Sequence, residues 1–242
     1  MLKTEFELQF TAESFENDKL PVIIVAAGSS SRMKGINKLF LDIGGIPVIV
    51  KTLLAFQESP LISKIILVTS EENVLDIEKL SIEYNITKLS DIALGGANRF
   101  YSVLNGIEKL DLCDEKVLIH DGARPFVDNK VIGNVCAALQ NFDAAVCAVP
   151  LKDTVKIADE NGLVSATPVR STLFAAQTPQ GVNVNLYKTS AEKILDKDSI
   201  TDDASVMEAC GYDVKIVLGD YKNIKITTPE DIVVARAMLE GE

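Results

Sequence analysis

Val22–Lys38 reads VIIVAAGSSSRMKGINK. The apolar, β-prone run Val22 to Ala26 predicts a strand buried on both faces, as parallel strands are. The residues that follow, Ala27 to Lys38, contain no acid and gather Arg32, Lys34 and Lys38 around small residues. A short turn at the carboxyl end of a parallel strand presents backbone N–H groups to phosphate oxygens, and nearby cations cancel their charge. The stretch therefore predicts a triphosphate cradle, although a solvated strand-to-helix connection has the same composition. Gly28 stands alone before three serines, so the dinucleotide fingerprint GxGxxG is missing, as is the Walker pattern GxxxxGK[ST].

Outward from this point, strand-length apolar runs alternate with stretches of helical periodicity. The predicted strands are Val22 to Ala26, Lys64 to Thr69, Ile92 to Leu94, Lys116 to His120 and Ala145 to Val149, with a later pair at Val214 to Leu218 and Asn223 to Thr227. Val48 to Gln57, Asn73 to Leu80, Asn98 to Leu110 and Asn129 to Asn141 space their apolar residues as helices do. The alternation predicts an α/β, Rossmann-like fold: a mostly parallel twisted sheet with helices on both faces and its ligands outside the carboxyl ends of the strands. Asp153 to Pro168, DTVKIADENGLVSATP, breaks the pattern with two short β-like runs around Asn161-Gly162, a hairpin signature. Such a ribbon is marginal alone in water, so it must lean on its own domain or on a second subunit. The chain is thus expected to comprise a leader over residues 1–20 and one domain over 21–242, with a β-arm at about 151–180.

Composition narrows the class. With 242 residues and 47% hydrophobic content the chain can bury a full core. The net charge of −11 argues against a nucleic-acid partner. No apolar stretch approaches the roughly 20 residues of a membrane span, and no membrane partner is expected. The four cysteines are widely spaced with no CxxC pair, which fits a reduced, cytoplasmic protein.

Three more windows carry candidate chemistry. In Gly95 to Val103, GGANRFYSV, two glycines after a strand let the chain pass close to a flat ligand, and Ser102 on the following helix is placed to meet a base edge; as a plain turn, the same window leaves Arg99 facing solvent. In His120 to Pro125, HDGARP, Asp121 ends a strand beside the cradle and is the candidate to meet a Mg²⁺ shared with phosphates, since Mg²⁺ generally takes one or two carboxylates plus phosphate oxygens and water. Arg124 is suited to grip a second anion. His120, the only histidine, reads as a structural residue or as a general base. In Asn223 to Thr228, NIKITT, Lys225 either reaches back to the phosphates or is an edge-strand charge.

Taken together, AAGSSSRM with Asn37-Lys38, GGANRFYSV, HDGARP, VPLKDTVK, AAQTPQGV, TDDAS and NIKITTPEDI resemble the 2-C-methyl-D-erythritol 4-phosphate cytidylyltransferases. The motifs run in the family's order from about Pro21 to about Leu239. Ribitol-5-phosphate cytidylyltransferases share the nucleotide-binding half, but GGANRFYSV looks more like the methylerythritol branch. The resemblance implies a nucleotidyltransferase-type fold and transfer of a cytidylyl group from CTP to a polyol phosphate, with Mg²⁺ or another divalent cation as cofactor. It implies that Ala26, Ala27 and Gly28 hold CTP and that Arg32 and Lys38 sit on its triphosphate. Gly96, Ala97 and Ser102 would contact the cytosine, and Gly122 would approach the nucleotide. Asp121 and Lys225 would flank the α-phosphate, with Asp121 the one protein ligand for a metal otherwise held by phosphates. For the polyol phosphate it implies Arg124, Thr154, Arg170, Thr178 and Thr201, some of them contributed across a homodimer through the arm. Two positions depart from the family pattern: Ala97 stands where an acid or another polar residue is usual, and Leu218-Gly219-Asp220 replaces a Glu-Gly pair.

Overall fold

The computed structural model describes residues 19–28, 37–197 and 200–240. Most of the expected leader, residues 1–18, and the middle of the cradle, with Arg32 and Lys34, lie outside them.

The first element of the described residues is β1 (Leu20–Val25), an inner strand of the sheet. A small β2–β3 ribbon (Asp42–Ile43 and Ile46–Pro47) turns at Gly44 and Gly45, both with positive φ, and leads into α1 (Val48–Glu58). There follow β4 (Ile62–Thr69), α2 (Val74–Glu83), β5 (Leu89–Leu94), α3 (Arg99–Ile107), β6 (Lys116–Asp121), α4 (Asn129–Ala138) and β7 (Ala144–Pro150). The arm is β8 (Ile157–Ala158) and β9 (Val164–Ala166). Then come β10 (Phe174–Asn183), α5 (Val184–Lys193), α6 (Asp203–Glu208), β11 (Val214–Leu218) and α7 (Pro229–Glu240).

Seven strands form one sheet in the order β11-β7-β10-β6-β1-β4-β5. Every pair is parallel except the two made by β10, which runs antiparallel to both β6 and β7. The α/β, mostly parallel architecture expected from the sequence is therefore present. Because successive strand residues point to opposite faces, Val22 and Ile24 pack under Ile49, Leu53 and Phe56 of α1 and Ile132 and Val135 of α4, while Ile23 joins Val103 and Ile107 of α3 and Val206 and Met207 of α6. Asn98, Asp128, Asn183 and Asp202 each accept a hydrogen bond from a first-turn backbone N–H, which starts α3, α4, α5 and α6 where the sheet needs them. Among the described residues no helix is long and apolar enough to cross a membrane.

The structure departs from the sequence expectations at three places. Asn223 to Thr227, whose alternation predicts a strand, pairs with no strand; Ile226 instead drops into a side cluster with Ile43, Val48 and Ile232, and its N–H donates to Ala123 O. β10 is a central strand that the sequence hides, because Pro179 and Gly181 suppress the strand reading. Its register with β7 shifts between Ala176 and Gln180, so Pro179 sits in an irregular stretch where no ladder N–H is required. Third, the segment expected as an arm over about 151–180 divides: the hairpin at Ile157–Ala166 is exposed throughout, and from Phe174 onward the chain runs in the central sheet. The hairpin itself turns as expected, with Gly162 at φ 78°.

Helix α3 is pressed tightly on the sheet at Gly106, where an added Cβ would lie 2.6 Å from Ile23 Cγ2 and 2.9 Å from Val68 Cγ2. Alanine favours helix by roughly 1 kcal/mol over glycine, whereas overpacking a core costs about 1–3 kcal/mol. Gly106→Ala is thus expected to lower the urea-unfolding free energy by about 1–2 kcal/mol. A variant as stable as the parent would show that α3 lifts from the sheet at no cost.

Candidate functional site

The carboxyl ends of β1, β5 and β6 open on a pocket of about 440 Å³, lined by Ala26, Ala27, Gly28, Lys38, Gly96, Ala97, Asn98, Arg99, Ser102, Asp121, Ala123 and Lys225, together with Val25, Leu39 and Thr227. The turn after β1 continues the sheet through Ala26 N–H to Val68 O at 2.7 Å, and among the described residues nothing lies within 4 Å of a Cβ built on Gly28. The loop after β5 lies directly against this turn: a Cβ on Gly95 would meet Ala27 Cβ at 2.3 Å, and one on Gly96 would meet Tyr101 Cβ at 2.4 Å. The two glycines let this loop pack against the turn after β1 and against the start of α3. Ser102 lines the pocket, but its hydroxyl already donates to Asn98 O at 2.8 Å and accepts from Gly96 N at 3.0 Å. Toward a ligand it can therefore act only as an acceptor.

A second pocket of about 250 Å³ adjoins the first, lined by Arg124, Ala176, Gln177, Thr178, Gln180, Thr201 and Asp202. Arg99, Asp121 and Lys225 line both, so these three side chains form the partition between two cavities. Asp121 is the centre of the partition. Its carboxylate takes Arg99 Nε at 3.2 Å on one oxygen and Lys225 Nζ at 2.8 Å on the other, with Arg124 Nε at 3.5 Å. Burial alone would raise its pKa, but Arg99, Lys225 and Arg124 outweigh burial and hold the carboxyl well below the usual carboxylate range. Arg99 extends the network inward through Nη2 to Asp203 Oδ2 at 2.7 Å, and Asp203 also accepts from Tyr187 Oη at 3.2 Å. Burial disfavours the guanidinium charge, yet Asp203 and Asp121 keep Arg99 firmly protonated.

His120 lies fully buried behind this wall. Thr178 Oγ1, 3.0 Å away, donates to His120 Nδ1, and Nε2–H donates to Arg124 O at 3.1 Å, so both ring nitrogens are occupied in the neutral ring. Burial pushes its pKa down to about 3. The histidine is structural, and the same Thr178 hydroxyl accepts from Asp121 N at 3.0 Å, fixing the end of β6.

Ala26, Ala27, Gly28, Lys38, Gly96, Ala97, Ser102, Asp121 and Lys225 thus come together in the first pocket, and Arg124, Thr178 and Thr201 in the second. Gly122 lines neither pocket; it packs behind the turn, with its N–H on Val25 O at 2.8 Å. Thr154 and Arg170 are exposed near the arm and also line neither pocket of their own chain; Arg170 Nη1 donates to Lys152 O at 2.8 Å. Arg32 lies outside the described residues. Asn98, Gln177, Gln180 and Asp202 line the pockets without a sequence signal for it; Arg99 lines both, and the sequence placed it facing solvent only in the plain-turn alternative and gave it no role. For Arg99 a signal was present, since a cation in the first turn of a helix opposes the helix dipole and calls for a carboxylate partner. Among the described residues no group of three or more His, Cys, Asp or Glu side chains is placed to hold a metal ion.

Comparison with known proteins places this geometry. The family model for 2-C-methyl-D-erythritol 4-phosphate cytidylyltransferase (IspD) matches residues 20–241. Curated relatives with the same name include one from Caldanaerobacter subterraneus subsp. tengcongensis, 46% identical over 220 residues covering 90% of this chain and 97% of that protein. Another, from Geobacter metallireducens, is 41% identical over 225 residues, 90% of this chain and 96% of that one. Among solved structures, the 4-diphosphocytidyl-2C-methyl-D-erythritol synthase of Anaerococcus prevotii superposes with a TM-score of 0.83 at 34% identity, covering 93% of this chain and 98% of that chain.

The neutral, buried His120 has a consequence for stability. Its folded pKa of about 3 lies below the unfolded value near 6.5, so the unfolded chain binds one more proton between those limits and stability falls as pH drops below about 6.5. Asp121 works at lower pH: its contribution is present above the ordinary carboxylate pKa and is lost as pH falls through its depressed value. Between pH 7 and pH 5, His120 alone is expected to remove about 2 kcal/mol of unfolding free energy. His120→Gln, which keeps a donor and an acceptor, should lose that much of the pH dependence in urea melts. An unchanged slope would refute the buried neutral ring.

Proposed function

The chain belongs to the 2-C-methyl-D-erythritol 4-phosphate cytidylyltransferase family, and from that premise we propose how its two pockets divide the work of a cytidylyltransferase. The first receives CTP and the second receives 2-C-methyl-D-erythritol 4-phosphate. The observation that carries this reading is the partition: two cavities share Arg99, Asp121 and Lys225, so ligands on either side meet across one cationic wall.

On the nucleotide side, the Ala26–Gly28 turn offers main chain to the phosphates, and Lys38, with Arg32 from outside the described residues, neutralises the β- and γ-phosphates. The cytosine lies on the Gly95–Ser102 loop. Ser102, whose proton is committed to Asn98 O, meets it as an acceptor, the partner that the exocyclic amine of cytosine requires. Gly122 acts from behind, by shaping the turn. On the acceptor side Arg124, Thr178 and Thr201 hold the phosphate of the polyol. One of its oxygens attacks the α-phosphorus of CTP in line, a new P–O bond forms, the bond to the β-phosphate breaks, and pyrophosphate leaves with that electron pair. An acceptor phosphate is already ionised near neutral pH, so no general base is needed, consistent with the commitment of both nitrogens of His120. Lys225 on the shared wall faces the charge that builds at the α-phosphoryl group.

A divalent cation, Mg²⁺ by preference, is proposed as cofactor. Nucleotide phosphates would supply most of its ligands, and Asp121, an ionised carboxylate whose two oxygens here carry Arg99 and Lys225, would serve as the one protein ligand by exchanging one of those side chains for the metal ion. Bound there it would neutralise phosphate charge; the cations of this chain orient the triphosphate and the acceptor. We also propose a homodimer through the β-arm, in which Thr154 and Arg170 reach the acceptor pocket of the partner subunit. Exposed Leu163, Val164 and Val169 on the arm support a covering partner. The four unpaired cysteines, Cys113, Cys136, Cys147 and Cys210, fit a reducing, cytoplasmic setting.

Two measurements test the assignment. Pyrophosphate release should be fastest with CTP and methylerythritol phosphate when CTP, UTP, ATP and GTP are compared with methylerythritol and ribitol phosphates as acceptors. A preference for ribitol phosphate would overturn the acceptor. Lys38→Ala, folded, should lower turnover by about 10²-fold, the scale of a lost transition-state charge contact. Turnover within a few-fold of the parent would remove Lys38 from the chemistry.

A further inference from the structure

Lys225 sits in the shared wall, yet the segment that carries it, Asn223 to Thr227, belongs to no strand. A side chain on unpaired backbone is held only as well as that backbone is anchored. On one side the anchor is Ile226, buried in its own cluster with its N–H on Ala123 O at 2.8 Å. On the other side it is Asn223. Asn223 is fully buried and lines neither pocket. Its Nδ2 donates to Thr178 O at 2.8 Å, and its own carbonyl accepts from Arg124 Nη1 at 2.8 Å.

Thr178 is the residue whose hydroxyl accepts from Asp121 N. Both halves of the Lys225–Asp121 pair, 2.8 Å apart, are therefore referenced to the same residue: Asp121 through the Thr178 hydroxyl, and the lysine segment through the Thr178 carbonyl. A second latch, Gln177 Nε2 to Asp220 O at 2.8 Å, ties the start of the same loop to β10. Thr178 and Gln177 are brought to the wall by the register shift in β10, so the irregular strand serves as the fixed point for the loop.

We infer that Asn223 is a positioning residue for cytidylyl transfer, setting the place of Lys225 against Asp121 without touching either substrate. The inference rests on the proposed role of Lys225. A polar group so deeply buried also contributes to folding, so a loss of activity alone does not distinguish positioning from general destabilisation, whereas coupling to Lys225 does.

The experiment is a double-mutant cycle on the full chain with CTP and methylerythritol phosphate, using Asn223→Ala, Lys225→Ala and the pair. Asn223→Ala should lower kcat about 10- to 100-fold, the scale of a displaced catalytic group, with KM for CTP within about threefold because Asn223 itself lines neither pocket. In the Lys225→Ala background the same substitution should change kcat by less than about threefold. Losses that multiply would overturn the positioning role, and so would a kcat for Asn223→Ala within twofold of the parent. Where the alanine variant does not fold, Asn223→Asp, of the same shape with the donor replaced by an acceptor, carries the same cycle and the same criteria. If Lys225→Ala itself kept parental kcat, the proposed role of Lys225 would fail, an outcome distinct from a failure of Asn223 beside an inactive Lys225→Ala.

Discussion

A carboxylate walled in by three cations is the constraint on which the rest of this structure depends. Asp121 is buried, and an unpaired buried carboxylate would take up a proton. Arg99, Arg124 and Lys225 keep it charged, and in doing so each is held within 3.5 Å of one of its oxygens. Without the carboxylate, three like charges could not share so small a volume. With Asp203 at the far end of Arg99, the charges around the two pockets are Lys38, Arg99, Arg124 and Lys225 against Asp121, Asp202 and Asp203, a local excess of one positive charge in a chain whose net charge is −11. The acids at this site therefore assemble the cations, and the small surplus favours anionic ligands.

That arrangement suits a reaction between two phosphate esters. Two polyanions approach against their own repulsion, and a preformed set of cations lowers that barrier without reorganising as the reaction proceeds. It also explains why the sheet carries an antiparallel strand among parallel neighbours. β10 places the irregular stretch Gln177–Pro179 beside the carboxyl end of β6, where a regular parallel strand would have sent its chain on into a helix. Thr178 then serves His120, Asp121 and Asn223 at once. Breaking one member of such a network leaves its partners buried and unpaired, so the cost exceeds the worth of the single bond.

Much of this was legible in the sequence because two signals are local. A run such as VIIVA, short and rich in β-branched residues, favours a buried strand, and small residues after it have no bulk with which to block a ligand. The same logic placed Ser102 and Asp121, each at a fixed distance from a strand end. What was hidden depended on partners distant in the chain. Lys225 lines the pocket but from a different element than expected, because NIKIT alternates like a strand while Ile226 is buried by packing against Ile232 and Val48 rather than by a ladder. Arg99 looked exposed because its acids, Asp121 and Asp203, are 22 and 104 residues away. β10 was concealed by the proline and glycine that make its irregularity possible.

The two places where the chain departs from the family pattern bear on the same contacts. At Gly219 a Cβ would lie 2.4 Å from Gln177 Oε1, the movable end of a side chain, so a larger residue there would push Gln177 out of its place. The following residue, Asp220, then offers its carbonyl to Gln177 Nε2 and its carboxylate to Lys222 N, which closes the turn before Asn223. The Leu218-Gly219-Asp220 sequence and Gln177 are therefore one unit, and replacing either half alone would loosen the loop that carries Lys225. Ala97 is explained by subtraction. With only a methyl side chain in the pocket wall, the residue can address a base through its main chain alone, which leaves Ser102, fixed as an acceptor, as the polar side chain of the loop best placed to distinguish an amine from a carbonyl. Discrimination for cytosine here would then follow from the hydrogen bond that Ser102 donates to Asn98, because that bond removes the proton a carbonyl would have needed.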